Sequence, residues 1–213
     1  TMPFTFCFYG NNYTQFVAGS NGLITFDISN ASIPPGTCGN SYNQTFPIPY
    51  ISNNICSSNA PYYPKASIMG MFTDLYPVSS ACPPDRKIAW HIEGSAPCRK
   101  LVMNYYHVGM YGNDNYNTPG SCNNLNPTTF QIVLYESTGI IDVNIEKKGC
   151  TATAGTGNNA ILGIQDDTRT KWVAAPGRNA TVWPLPIINE GWRFTPSGAG
   201  SRYVSSELLD MSG

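Results

Sequence analysis

The sequence predicts an all-β fold: a two-sheet antiparallel sandwich of jelly-roll type with long, disulfide-tied loops. Three observations favour this fold. Apolar and polar residues alternate with period two in short segments, as in strands with one buried face. Turns rich in Asn and Gly separate these segments, and no window of useful length repeats apolar residues with the 3.6-residue period of a helix. Many short strands joined by Gly- and Pro-rich turns are typical of sandwiches.

The predicted strands follow one another along the whole chain. The clearest alternation is in the segment where Ile141, Val143 and Ile145 alternate with polar residues. The dipeptide Asn21-Gly22 between two short apolar runs is a strong hairpin signal, because both residues tolerate positive φ. Strands are predicted over 4–9, 23–28, 67–72, 88–93, 99–108, 130–135, 141–146, 159–165, 170–175 and 190–195.

Two long segments without strand signals interrupt this pattern, at 29–66 and 109–127. Loops of this length in a compact domain are usually functional or disordered, and the cysteines in them favour ordered loops. The seven cysteines are widely spaced and form no zinc or redox motif. In a chain with few charges they indicate disulfides formed in an oxidising compartment. Their pairing is left open; the candidates are Cys38, Cys56, Cys82, Cys98, Cys122 and Cys150.

The composition argues against several classes of protein. Charged residues make up 12% of the chain, against about 25% in an average soluble domain. The net charge of −1 offers no basic surface for nucleic acid. No apolar run reaches the roughly 18 residues of a membrane span. We therefore expect an extracellular or cell-surface protein with no nucleic-acid partner and no membrane insertion.

One β-sandwich module is predicted over 1–196. The residues that follow, Ser-Gly-Ala-Gly-Ser at 197–201, have the composition of a flexible linker. The residues after them look like the start of a further element. The region 197–213 is therefore predicted to join this module to neighbouring modules of the same chain.

Six segments of strand and turn carry a resemblance to known proteins. They are FCFYGNNYTQFVAGSNGLITFD, GMFTDLYP, IAWHIEGSAPCRKLVMNYYHV, QIVLYESTGIIDVNIEKKGC, AILGIQD and GWRFTPSG. They look like modules of large secreted surface proteins of Bacteroidota, which carry gliding-motility-associated C-terminal domains for type IX export. The first segment also resembles, more distantly, nidogen-type extracellular domains. The resemblance implies an exported adhesin or matrix component and carries over no catalytic residue.

The residues do not indicate a catalytic site. The two histidines, His91 and His107, lie on predicted strands without a nucleophile motif around them. A glycosidase would need two carboxyl groups about 5 to 9.5 Å apart across a cleft. Asp142 and Glu146 share the polar face of one predicted strand, where a solvated surface is the natural explanation. We therefore predict that the protein is not an enzyme.

The residues argue less strongly against a calcium site than against a catalytic site. Calcium takes several oxygen ligands, often from Asp, Asn and carbonyl groups in loops, and the segments 112–115 and 165–168 offer such groups. None has the spacing of an EF-hand, and turn formation by Asn and Asp is the stronger explanation. No cofactor is therefore required, and Ca²⁺ is the ion that these residues could hold. The candidate ligands are Asp74, Asp114, Asp166 and Asp167.

Tyrosines in the long loops provide a candidate ligand site. Extracellular sandwiches often bind glycans through aromatic rings that stack on sugar faces, with hydrogen bonds from amides and carboxylates. Tyrosine is also common as half-buried framework in β-rich domains, so both explanations stay open. The candidates are Tyr62, Tyr63, Tyr111 and Tyr116.

Together these observations predict a non-catalytic extracellular module of a bacterial surface protein, acting in adhesion or as a structural segment of a surface filament. The alternative is a carbohydrate-binding, lectin-like module with calcium as an optional ligand. The expected partners are surface glycans or proteins. A shallow groove lined by aromatic residues would favour the alternative, and a flat polar surface would favour the structural role.

Overall fold

A computed structural model describes residues 1–30, 47–49, 64–78, 83–110, 127–148, 159–183, 186–198 and 202–211. Within these ranges the chain contains antiparallel strands, one 3₁₀ turn at Ile28–Asn30 and no α-helix. No helix in this part of the chain is long and apolar enough to cross a membrane. The predicted all-β, antiparallel class is thus confirmed.

The strands are mostly short in the first half of the chain and longer in the second. The first five are β1 (Phe6–Phe8), β2 (Asn11–Tyr13), β3 (Val17–Gly19), β4 (Leu23–Thr25) and β5 (Ser67–Phe72). The next four are β6 (Lys87–Glu93), β7 (Lys100–Val108), β8 (Thr128–Tyr135) and β9 (Ile141–Lys148). The last four are β10 (Asn159–Gln165), β11 (Trp172–Val182), β12 (Ile187–Ser197) and β13 (Arg202–Leu209).

These strands form three sheets. The first is a hairpin of β1 and β2, and the second is a five-stranded sheet of order β11-β10-β5-β4-β3. The third sheet has six strands in the order β13-β12-β9-β8-β7-β6, so that β6 to β9 form a meander. The two larger sheets contribute side chains to one hydrophobic core, which fits a sandwich. The jelly-roll type and the disulfide-tied loops stay predictions.

Close contacts join the two larger sheets through this core. Gly70 of β5 faces Ile132 of β8, and a Cβ atom at Gly70 would lie 2.6 Å from the Ile132 side chain. The Tyr105 and Phe130 rings stack with 4.5 Å between their centroids. The Tyr105 hydroxyl also donates a hydrogen bond of 2.7 Å to the Gly19 carbonyl oxygen. Tyr105 therefore links β7 of one sheet to β3 of the other.

The turn between β3 and β4 does more than reverse the chain. Gly22 has a φ of +89°, the conformation that the Asn21-Gly22 signal predicts. Asn21 is buried; its carbonyl oxygen accepts a hydrogen bond from the Thr73 amide at 3.1 Å. Its side-chain oxygen accepts another from the Leu75 amide at 3.2 Å. The turn therefore fixes the chain that leaves β5.

The C-terminal segment contributes an edge strand to the six-stranded sheet. β13 pairs with β12 from the Ser197–Arg202 pair to the Gly191–Leu209 pair. Tyr203 is buried, and its hydroxyl donates to the Gly139 carbonyl oxygen at 2.6 Å. Where it is described, the segment predicted as a linker and the start of a further element therefore packs against the same core.

Candidate functional site

Many of the predicted site residues lie outside the described ranges. They are the four tyrosines of the predicted aromatic site, one aspartate and five cysteines: Tyr62, Tyr63, Tyr111, Tyr116, Asp114, Cys38, Cys56, Cys82, Cys122 and Cys150. The aromatic site and the disulfides between these cysteines stay predictions.

Cys98, one of the six candidate disulfide cysteines, lies in the turn between β6 and β7. Its thiol is free and the residue is exposed. The turn is closed instead by the backbone, since the Cys98 amide donates to the Ser95 carbonyl oxygen at 2.8 Å. Gly94 enters the turn with a φ of +76°. Backbone geometry thus makes the reversal without a covalent link at Cys98.

Asp74 is a buried acid just after β5. The residue is 2% exposed, and neither carboxylate oxygen has a hydrogen-bond partner among the described residues. Burial raises the pKa of the Asp74 carboxyl to about 7. The side-chain nitrogen of Asn21 is also buried without a partner there. No group of three or more His, Cys, Asp or Glu residues that could hold a metal ion occurs within the described ranges.

Asp166 closes the turn between β10 and β11. Its Oδ1 accepts hydrogen bonds from the amides of Thr170 and Lys171, at 2.9 and 3.1 Å. Its Oδ2 accepts one from the Thr168 hydroxyl at 2.7 Å. Asp167, the next residue, is exposed. Both oxygens of Asp166 therefore serve a turn of the kind that aspartate commonly forms.

Asp142 of β9 is 3% exposed and is not the solvated residue that the strand pattern indicates. Both of its oxygens accept hydrogen bonds from the Arg193 guanidinium at 2.8 Å, and the Tyr135 hydroxyl donates to Oδ2 at 2.8 Å. Hydrogen bonding to Asp142 raises the pKa of Arg193 above its ordinary value. This cluster joins β8, β9 and β12 through side-chain hydrogen bonds.

A second ionic cluster joins β11 to β12. Arg178 donates to the two Glu190 oxygens at 3.1 and 2.8 Å, and the Trp192 indole donates to Glu190 at 2.7 Å. The Arg178 guanidinium lies 4.9 Å from the centroid of the Trp183 ring. Burial acts to raise the pKa of Glu190, but these hydrogen bonds outweigh burial and lower that pKa. The carboxylate is therefore held in its charged form.

A groove crosses the outer face of the six-stranded sheet. Asn104 of β7, Gln131 of β8 and Asn144 of β9 are direct cross-strand partners, and Gly191 of β12 is next in the same row. Their sequence neighbours on β7 to β9 belong to the core, so these side chains point outwards. We call this the amide groove. Its volume is about 330 Å³, and it is also lined by Tyr106, Thr129, Glu146, Asn189 and Met211.

A chain of hydrogen bonds orients the floor of the amide groove. Gln131 donates from Nε2 to Asn104 Oδ1 at 2.7 Å. Asn104 Nδ2 lies 3.2 Å from His91 Nδ1, and His91 Nε2 lies 3.1 Å from a Glu93 oxygen. The nitrogen of Gln131 is thus engaged, and its oxygen is left to accept a hydrogen bond. The Asn144 side chain makes no hydrogen bond with any described residue.

Two partly apolar side chains flank this floor. Tyr106 lies on the β7 side and is 40% exposed, and its ring stacks on the His107 ring with 3.8 Å between centroids. Met211, also 40% exposed, packs over Gly191 on the β12 side. A Cβ atom at Gly191 would lie 2.7 Å from the Met211 sulfur. The absence of a side chain at Gly191 therefore lets Met211 approach the sheet.

The strands are irregular at the groove and next to it. His107 in β7 and Asn189 in β12 both have a φ of +52°. The pairing of β8 with β9 shifts register between Thr129 and Phe130. Bulges re-aim side chains and are over-represented next to active sites, and non-glycine residues with positive φ cluster at ligand sites. The backbone is thus irregular in the same part of the sheet as the row formed by Asn104, Gln131 and Asn144.

The groove residues were not among the sequence-based site candidates. The amide groove combines donors, acceptors and apolar surface with one carboxylate, Glu146. Such a lining can bind hydroxyl groups and C–H surfaces together. A signal was nevertheless present, since asparagine is disfavoured in strands and yet Asn104 and Asn144 occupy central strands.

Comparison with known proteins identifies the family. The family model described as NIDO related matches residues 1–196. No curated protein and no solved structure matches the chain. Because the family match covers all but the last residues of the sequence, the chain belongs to the NIDO-related family.

Proposed function

We propose that this chain is a non-catalytic extracellular module of a surface protein, acting in adhesion or as a structural segment of a surface filament. Membership of the NIDO-related family over residues 1–196 supports an extracellular location, as does the charged fraction of 12%. The observation that carries the adhesive role is the amide groove, a depression on a broad sheet face that is lined by both amide and apolar side chains.

The environments of the acidic residues support a binding role over a catalytic one. A general acid needs a proton to give near neutral pH. Glu190 is instead held by Arg178, whose hydrogen bonds lower the pKa of its carboxyl, and Asp142 is engaged in a bidentate ion pair with Arg193. Asp74 has a pKa raised to about 7 by burial, but at 2% exposure it is closed off from a substrate.

The wider setting of the module is part of the same proposal. The resemblance of six segments to surface modules of Bacteroidota supports a parent protein exported by the type IX pathway, in the company of gliding-motility-associated domains. Neighbouring modules of that parent chain would be the first partners of this one. No cofactor is required for this role.

A carbohydrate-binding module is the second candidate, and the amide groove is the observation that favours it. Its lining brings amide groups, one tyrosine ring and one carboxylate together on a rigid sheet. Calcium takes six to eight oxygen ligands, whereas the groove has a single carboxylate, Glu146. A calcium-dependent form of this function would therefore rest on the loop residues predicted from the sequence.

Retention of coated beads under flow tests the adhesive role. Beads coated with the folded protein should be retained on surfaces coated with polysaccharide or matrix protein, and beads coated with the heat-unfolded protein should wash away. Equal retention of the two kinds of bead would contradict adhesion through the folded surface. Release of product from oligosaccharides by the purified protein would contradict the non-catalytic role.

A further inference from the structure

We propose that the amide groove is a calcium-independent binding site for a short, uncharged saccharide. This inference rests on the carbohydrate-binding candidate above, and it specifies both the site and the class of ligand. It is carried by the position of three amide side chains in one cross-strand row, with apolar walls on either side.

The hydrogen-bonding groups of the groove match those of a sugar. A hydroxyl group both donates and accepts, and an amide side chain offers both functions within one group. The Asn144 amide is unengaged by any described residue, and Gln131 keeps its oxygen after donating from Nε2 to Asn104. Asn189 and Glu146 line the same groove. A polyol can therefore satisfy donors and acceptors that otherwise bond only to water.

The floor is organised before a ligand arrives. Asn104 is held between Gln131 and His91, and His91 is held in turn by Glu93. These residues stand on β6, β7 and β8, which are paired along most of their lengths. Binding to groups that are already ordered loses less conformational entropy than binding to free side chains. Weak individual hydrogen bonds can then add up to a measurable affinity.

The walls suit the C–H faces of a sugar ring. Tyr106 presents an apolar aromatic ring and a polar hydroxyl. Tyrosine is enriched at interfaces where the ring meets an apolar surface and the hydroxyl meets water. Met211 presents a flexible, polarisable thioether on the opposite side. A ring with hydroxyls at its rim and C–H groups on its faces would contact both walls and the amide floor at once.

Charge and size narrow the class of ligand. The lining has one carboxylate, Glu146, and contains no Lys or Arg. It would therefore repel phosphate, sulfate or uronate groups. The volume of about 330 Å³ lies at the lower end of the 300–1,000 Å³ range of ligand sites, which suits about one or two sugar rings.

A peptide fits this surface less well. An extended peptide usually binds by adding a strand to an exposed sheet edge, where backbone groups are unpaired. The amide row crosses β7, β8 and β9, which are central strands with partners on both sides. Their backbone groups already pair with neighbouring strands, so recognition must come from side chains.

Binding of the purified 213-residue chain to an array of uncharged and acidic glycans tests the inference, with calcium and again with EDTA. Asn144→Ala should weaken binding of the uncharged glycans by about tenfold, the loss expected when one good hydrogen-bonding group is removed. Tyr106→Ala should weaken it to a similar extent through loss of the ring. Asn12→Ala, an exposed asparagine of β2 outside the groove, is the matched control and should bind as the parent does. Thermal unfolding confirms that each variant is folded.

The outcomes distinguish failure of this inference from failure of the carbohydrate-binding function on which it rests. Binding that is equal in the parent, Asn144→Ala and Tyr106→Ala would overturn the groove as the site and leave the carbohydrate-binding function standing. A folded parent that binds no glycan would overturn both. Preference for acidic glycans would overturn the ligand class, and loss of binding in EDTA would overturn independence from calcium.

Discussion

Gly22 faces the carbonyl oxygen of Met71 so closely that a Cβ atom at Gly22 would lie 2.4 Å from that oxygen. Gly22 also has a φ of +89°, which L side chains rarely adopt. Gly22→Ala should therefore lower the free energy of unfolding by about 2–4 kcal/mol, from backbone strain and from forced movement of β5. Chemical denaturation of parent and variant measures this loss.

Gly177→Ala is the matched control for this prediction. Gly177 has a φ of +70°, but a Cβ atom there would meet nothing within 4 Å. Gly177→Ala should therefore lower the free energy of unfolding by only about 1 kcal/mol, which is the conformational part of the loss. Equal losses in the two variants would show that the contact with Met71 is unimportant and that φ alone explains the glycine.

Asp74→Asn should make the protein more stable at neutral pH and less dependent on pH. Burial raises the pKa of the Asp74 carboxyl from 3.8 to about 7, so between these values the native state holds a proton that the unfolded chain has released. Stability of the parent therefore falls as the pH rises from about 4 to about 7, and the loss then levels off. The free energy of unfolding of Asp74→Asn should equal that of the parent near pH 4 and exceed it by about 2 kcal/mol at pH 8.

Asp167→Asn provides the control, since Asp167 is exposed. Urea unfolding at several pH values should give the same stability difference from the parent at pH 4 and pH 8 for this variant. If Asp74→Asn is less stable than the parent at pH 8, the Asp74 carboxylate has a stabilising partner, and its burial is not a cost.

Strand positions could be predicted from the sequence wherever one face of the strand is buried. The segment predicted over 159–165 is β10, Asn159–Gln165, because its apolar residues are buried between β5 and β11. β13 could not be predicted in the same way. Its residues are mostly exposed at a sheet edge, and its pairing with β12 comes from tertiary contacts such as that of Tyr203 with Gly139.

The candidate site was less predictable because it depends on cross-strand register. Asn104, Gln131 and Asn144 are far apart in the sequence and become neighbours only through the pairing of β7 with β8 and of β8 with β9. The same holds for Asp142. Its position in the strand pattern indicates a solvated residue, but Arg193, 51 residues away, covers it with a bidentate ion pair. Periodicity shows which face a residue occupies, not which side chains share that face.

Arg193→Ala should destabilise the protein by about 2 kcal/mol. Removal of the guanidinium leaves the Asp142 carboxylate, whose side chain is 4% exposed, without its ionic partner. The loss should be smaller than for a fully buried pair, because the Arg193 side chain is itself 34% exposed. Thermal and urea unfolding provide the measurement.

A double variant distinguishes loss of the pair from loss of packing. If the unpaired Asp142 carboxylate causes the destabilisation, adding Asp142→Asn to Arg193→Ala should recover part of the lost stability. Arg99→Ala is the control, because Arg99 and Glu136 form a similar pair with a more exposed carboxylate and should show a smaller loss. A double variant less stable than Arg193→Ala would mean that Asp142 stabilises the fold through other contacts.

Gly191→Ala should shift Met211 away from the wall of the amide groove. The new Cβ atom would lie 2.7 Å from the Met211 sulfur and 3.1 Å from the Leu209 Cβ atom. Because Met211 is a flexible side chain near the end of the described chain, we expect a loss of only about 1 kcal/mol. Met211→Ala in the same protein should recover most of this loss, since it removes the closest contact, and a double-mutant cycle measures the coupling.

Gly163→Ala is the control for that coupling. Its Cβ atom would lie 2.8 Å from the Val173 carbonyl oxygen, a backbone atom that cannot move aside as a methionine side chain can. Gly163→Ala should therefore lower the free energy of unfolding by more than Gly191→Ala does. This loss should not change when Met211→Ala is added. If Met211→Ala fails to relieve Gly191→Ala, then Met211 does not pack over Gly191, and the groove is open on the β12 side. Saccharide binding would then depend on Tyr106 and the amide floor alone.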